Sequence, residues 1–155
     1  MLDSTSLLTQ KSMHLHSVLS KAFKSISDHS VAGIKAAGFN PTAFAVMEVL
    51  YHRGPQPIQQ IGAKLLLQSG NVTYVIDKLE SKGYLFRHPC PQDRRIIHAE
   101  LTTEGHKVMD SIYPSYAQQI DRAYSGISSE EMDQLITLLK KLGRSAEGLS
   151  SSTHK

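Results

Sequence analysis

The sequence predicts a mainly α-helical chain with one small β-hairpin set between its helices. Three observations carry this reading. Apolar residues recur in steps of three and four over most of the chain. Only two short runs, YLFRH at 84–88 and IIHAEL at 96–101, are rich in β-branched and aromatic residues instead. Between them lies PCPQDRR (89–95), whose two prolines and charged tip suit a long loop and deny it regular pairing.

The elements follow in order. Over residues 11–37, Leu15, Leu19, Ala22, Phe23 and Ile26 mark an amphipathic helix that Gly38 stops. Asn40 caps the free amides of a second helix, and Pro41 fits its first position. Phe44, Met47, Leu50 and Tyr51 line one face of it as far as Gly54. The segment PQP (55–57) delays the next element, a short helix over 58–66 marked by Ile58, Ile61 and Leu65. A fourth helix spans 69–82, with Ser69 as a possible N-cap and Gly83 placed to end it. Set at 100° intervals, Val72, Val75, Ile76 and Leu79 fall within about 100° of one another, the arc of a docked helix. Gly70, Tyr74, Asp77, Lys78 and Ser81 take the opposite side, with Asn71 and Thr73 at its flanks.

Beyond the hairpin, Thr102 or Thr103 caps a long helix whose apolar face is Gly105, Val108, Met109, Ile112, Tyr116, Ile120 and Ala123. Pro114 inside it predicts a kink. Ser128 and Glu131 form a capping box for a last helix through Met132, Leu135, Ile136, Leu139 and Leu142, ending at Gly143. Residues 146–155 read as a flexible tail.

Composition narrows the function. Hydrophobic residues are 40% and charged residues 20% of 155, an ordinary globular balance. One cysteine excludes an internal disulfide and points to a reducing cytoplasm. No apolar run reaches the ~18–20 residues of a membrane helix. The N-terminus lacks the pattern of a secretory signal. From Lys64 to Arg95, six cations (Lys64, Lys78, Lys82, Arg87, Arg94, Arg95) face three acids (Asp77, Glu80, Asp93). That stretch alone therefore carries a charge equal to the chain's net +3, and the rest cancels. A polyanion-binding surface belongs there.

Eight histidines invite a metal reading, but His14 and His16 are two apart and point to different helix faces. The others show no ligand spacing, so we expect no metal and no cofactor. No Gly-rich phosphate loop, nucleophile elbow or paired catalytic carboxylates appear, and an enzyme is not expected.

Two short helices joined by a tight link, then a strand, a charged loop and a strand, make a winged helix-turn-helix over about 41–101. In such a module the second helix enters the major groove of double-stranded DNA and the hairpin wing follows the backbone or a minor groove. Base-edge readers are then Asn71, Thr73, Tyr74 and Lys78, because asparagine pairs with adenine and threonine or tyrosine touches a thymine methyl. For Asn71 and Thr73 the alternative is ordinary service at a helix start, and for Tyr74 it is packing under the wing. Lys82 and Arg87 are phosphate candidates, with Arg87 alternatively a wing-stabilising residue. Asp93 would repel DNA if bare, so its expected role is an ion pair that orients one of Arg94 and Arg95 while the other enters the groove. Cys90, expected in an exposed loop beside these arginines, is either a candidate redox sensor or an incidental wing residue. His14, His16 and Tyr113 are candidates for an effector pocket facing a dimer cleft, with plain surface or core placement as the alternative.

NVTYVIDKLESKGYLFR (71–87), PQDRR (91–95) and LTTEG (101–105) together resemble the MarR family of bacterial transcriptional regulators. The resemblance spans roughly 11–145. It implies a single domain over 1–145 whose helices at about 11–37 and 103–143 build a homodimer. It further implies binding to a palindromic operator, relieved by a small aromatic ligand or by an oxidant or electrophile. It makes Arg95 the groove residue and Arg94 a supporting or phosphate-contacting one. Tyr74 departs from the family, many of whose members carry a second basic residue there. The flank FAVMEVLYHRGPQPIQQIG (44–62) and the Cys90–Pro91 pair resemble a branch that answers quinones and other aromatic electrophiles. A winged-helix protein-interaction module without DNA binding is the alternative. Such modules usually lose the basic wing that Arg94 and Arg95 supply here.

Overall fold

The computed structural model describes the backbone of residues 4–151 and the side chains of 6–149. By packing, the chain forms two compact units, one through Ile120 and one from Asp121 onward.

The first unit holds α1 (Ser4–Ala36), α2 (Pro41–Arg53), β1 (Gln56–Pro57), α3 (Ile58–Lys64), α4 (Ser69–Ser81), β2 (Leu85–Pro89), β3 (Ile97–Leu101) and most of α5 (Thr103–Tyr124). Helix α1 begins well before residue 11, where the apolar spacing first becomes regular. At α2, the Asn40 Oδ1 accepts from the Thr42 and Ala43 N–H groups at 2.9 and 3.4 Å. Phe44, Val46, Met47 and Leu50 of α2 are buried against Ile61 of α3 and Val72, Ile76 and Leu79 of α4. Leu85, Ala99, Leu101 and Met109 close the same core.

The sheet has three antiparallel strands in the order β1-β3-β2. The hairpin register runs from Leu85 opposite Leu101 to Pro89 opposite Ile97. The third strand lies in the segment that sequence reading leaves as a spacer. Gln56 pairs with Ala99 and Pro57 with His98, a long-range match that two residues cannot advertise. Pro57 sits on an edge strand, where its missing N–H costs nothing. Helix–turn–helix plus hairpin is thus a winged helix.

Two backbone positions set the reading unit. Gly83, at φ 75°, ends α4, with its N–H on the Glu80 carbonyl and that of Tyr84 on Leu79. The chain then turns straight into β2. Ser69 does not cap α4: the N-cap position falls on Gln68, which makes no side-chain cap bond. Between α3 and α4 the reversal uses Leu66 at φ 54°, a left-handed conformation in which its side chain is 93% exposed.

The start of α5 explains the LTTEG segment. The Thr102 hydroxyl donates to the Gly83 carbonyl at 2.6 Å and accepts from the Gly105 N–H at 3.0 Å. A Cβ on Gly105 would stand 2.0 Å from the Tyr84 carbonyl oxygen, so only glycine fits. Pro114 lies inside this helix.

The second unit consists of the end of α5 and α6 (Ser129–Ser151). Its capping box is closed both ways: the Ser128 N–H donates to Glu131 Oε2 at 2.8 Å, and the Glu131 N–H donates to Ser128 Oγ at 3.2 Å. The helix continues past Gly143 to Ser151, so residues 146–151 of the expected flexible tail are helical, and 152–155 lie outside the described residues. Glycine inside a helix costs only about 1 kcal/mol, too little to stop this one.

Leu66→Gly should raise stability by about 0.5–1 kcal/mol, because left-handed strain of about 1–2 kcal/mol is relieved, less the entropy glycine adds to the unfolded chain. Gly105→Ala should lower it by about 1–3 kcal/mol, since a backbone carbonyl must move. Denaturant titration checks both, and opposite signs would contradict this account of the two positions.

Candidate nucleic-acid interface

Helix α4 buries Val72, Ile76 and Leu79 and turns Asn71, Thr73, Tyr74, Asp77, Lys78 and Ser81 to solvent. Tyr74 is 63% exposed rather than packed under the wing, and Lys78 Nζ stands 5.6 Å from its ring centroid. That cation–π contact pre-orders two long side chains on the outer face. Thr73, itself exposed, donates from Oγ1 to the Ser69 carbonyl at 3.2 Å.

The hairpin is locked to this helix by Arg87. Its guanidinium donates to Glu80 Oε2 at 2.8 Å and to Asp77 Oδ1. Asp77 and Glu80 share one flank of α4, and Arg87 comes from the strand after the turn. The geometry therefore makes Arg87 a brace between helix and hairpin, the alternative to its candidacy as a phosphate contact. Neither acid was assigned a role from sequence. The signal was their three-residue spacing, which places both on the side facing the hairpin.

At the wing tip the Asp93 carboxylate accepts from Arg95 Nε at 3.0 Å, from Arg95 Nη2 at 2.9 Å and from the Arg95 backbone N–H at 3.1 Å. The clamped arginine is thus the same one that the family resemblance sends to the groove. Its side chain is nevertheless 90% exposed, held by one edge and presented by the other. Arg94 is exposed and in no ion pair among the described residues. Hydrogen bonds from the Arg95 side chain and backbone hold the Asp93 carboxyl below its usual value. A lowered carboxyl keeps its pairing above the ordinary carboxylate range and loses it only as pH falls through the lowered value.

Cys90 is not exposed. It is 8% accessible, its thiol donates to Gln92 Oε1 at 3.1 Å, and its N–H donates to the Ile96 carbonyl at 2.8 Å. The loop folds back on itself to make those bonds, which a reading of proline content alone misses. The proximity of Arg94 and Arg95 in sequence therefore does not make it an open, reactive thiol. The expected exposure of Cys90 is corrected: the residue is buried in the wing loop.

Two clefts flank α4. One, of about 530 Å³, lies toward the wing between Ile58, Gly62, Val72, Thr73, Arg95 and Ile97. The other, of about 420 Å³, lies toward the start of α2. Neither is lined by His14, His16 or Tyr113. His14 and His16 are exposed on α1, whereas Tyr113 packs with Tyr51, His52 and Tyr116. Within that group the Tyr51 hydroxyl donates to Asp110 Oδ1 at 2.6 Å, a bond that raises the Tyr51 pKa. No ring contact or hydrogen bond among the described residues joins the two histidines to Tyr113. The expected three-residue pocket is not assembled within one chain.

A helix presented beside a clamped basic hairpin defines a winged-helix DNA-binding regulator. Residues 39–97 match the model of the MarR family. The chain is 57% identical to the HTH-type transcriptional regulator YkoM of Bacillus subtilis, over 86% of this chain and 87% of that one. It is 47% identical to the HTH-type transcriptional regulator MhqR of the same organism, over 90% and 97%. Its fold is similar to Sco3205, a MarR family regulator from Streptomyces coelicolor solved in complex with DNA. The TM-score there is 0.74, with 21% identity over 96% of this chain and 94% of that one. The chain belongs to the MarR family of DNA-binding transcriptional regulators, and it is a regulator rather than an enzyme.

Arg95→Ala should weaken binding to a selected operator by about 1–3 kcal/mol. Asp93→Asn should cost discrimination instead, with random-duplex affinity unchanged or higher because a negative charge is gone. Paired titrations on both duplexes check this, and equal losses on both would contradict the clamp.

Proposed function

We propose that the chain acts as a homodimeric repressor that reads a palindromic operator and is released by a small aromatic ligand. The carrying observation is the exposed outer face of α4 beside an arginine that Asp93 holds in place. Asn71, Thr73, Tyr74 and Lys78 read base edges, Lys82 contacts phosphate, and Arg95 enters the minor groove with Arg94 in support.

Dimerisation is assigned to the long helices outside the winged module. Helix α1 exposes Leu7, Leu8, Met13, Leu15, Val18 and Phe23. Helix α6, considered by itself, exposes Leu135, Ile136, Leu138, Leu139 and Leu142. Apolar stripes of that length call for a partner. A two-fold dimer sets two recognition helices about 34 Å apart, one turn of DNA. Bound across a promoter, such a dimer blocks transcription by occupancy.

The rings of Tyr51, His52, Tyr113 and Tyr116 offer a surface suited to a planar ligand, and the branch resembled in 44–62 answers aromatic electrophiles. A ligand releases DNA only if it prefers a helix spacing that mismatches the groove, by roughly 1–3 kcal/mol. With Cys90 buried, reversible binding is the favoured route. Sedimentation at micromolar concentration should show a dimer, and simple phenols or hydroquinones should release a selected operator from wild type and Cys90→Ser alike. A stable monomer would sink the architecture. Loss of quinone response in Cys90→Ser would hand sensing to the thiol.

A further inference from the structure

The two flanks of α4 are charged differently. The flank toward the hairpin carries Thr73, Asp77 and Glu80, its acids neutralised by Arg87. The opposite flank carries Asn71, Lys78 and Lys82, which with Asn40 and Thr42 line the 420 Å³ cleft. Its floor is apolar, its rim bears two lysines, and no acidic side chain is among the described residues that line it.

A helix about 10–12 Å across fills a major groove about 12 Å wide, so both phosphate backbones press against its flanks. The wing meets one strand. The flank away from the wing must meet the other, and that is where Lys78 and Lys82 stand.

Asn40 adds a directional argument. Its Oδ1 is committed to the Thr42 and Ala43 amides, so its NH₂ group points away from them. No protein acceptor for that group exists among the described residues. Two N–H donors are left at the rim of a basic cleft. On the reading that α4 enters the major groove, we propose that this cleft seats phosphates of the strand opposite the wing. Asn40 and Thr42 donate to them and Lys82 neutralises them, while Lys78, at the edge of the outer face, stays with the bases. The cap residue of α2 is then also a DNA contact, and each half-site is gripped on both strands.

Asparagine, aspartate and serine cap helices about equally well, so Asn40→Asp and Asn40→Ser should melt near wild type. The probe is an operator duplex enriched from a random library with the wild-type chain. Asn40→Asp, which sets a carboxylate against phosphate, should raise its Kd roughly tenfold and lower the salt slope by about one unit. Asn40→Ser, neutral and still a donor, should change both less. Phosphate-ethylation interference should cover both strands of each half-site for wild type and fade on one strand only for Asn40→Asp. Wild-type affinity and unchanged two-strand interference in Asn40→Asp would overturn the cleft while leaving the recognition helix in place. Failure of the wild-type chain to enrich any duplex would overturn both.

Discussion

A recognition helix has to be held firmly while the face that reads DNA stays empty, and in this chain the Arg87 brace reconciles the two demands. The apolar arc of α4 anchors the helix from beneath. That arc sets which face points outward, and Leu85, Ala99 and Leu101 seat the hairpin on the same core. Arg87 adds a polar tie between the two, with its bonds to acids about one helical turn apart. It also masks two carboxylates that would otherwise face a polyanion. The half-buried guanidinium, 27% exposed, spends its hydrogen bonds sideways and leaves the outer face untouched. Screening limits the energy of such a bridge. Its value lies in geometry.

The same logic runs through the loops. The Thr102 hydroxyl and the Gly105 backbone pin the start of α5 to the turn that ends α4. Asp93 pins the Arg95 guanidinium. Asn40 pins the first turn of α2. The Asp93 and Asn40 bonds reach only two or three residues along the chain, whereas the Thr102 hydroxyl reaches nineteen residues back across the hairpin to Gly83. Each of these bonds ties a loop or helix end of the reading head to its neighbour.

Those local devices were legible in sequence because caps, turns and helix faces are written within a few residues. Asn40–Pro41, Ser128 with Glu131, Gly83 and the arc through Val72, Ile76 and Leu79 all follow from spacing. The missed features depend on distant partners. Strand β1 exists only because β3 offers an edge some forty residues later. Cys90 is buried only because the loop closes on Ile96. Leu66 takes a conformation that favours glycine, which its side chain does nothing to announce. The effector candidates depend on a partner too, since His14 and His16 lie exposed on α1 while Tyr113 packs with Tyr51, His52 and Tyr116.

The buried thiol has one further consequence. A lone cysteine only 8% accessible reacts faster with a thiol label when the wing opens, so the labelling rate follows local unfolding of that hairpin. No other cysteine contributes background. That thiol is therefore well placed to report the breathing of the wing, with and without DNA bound.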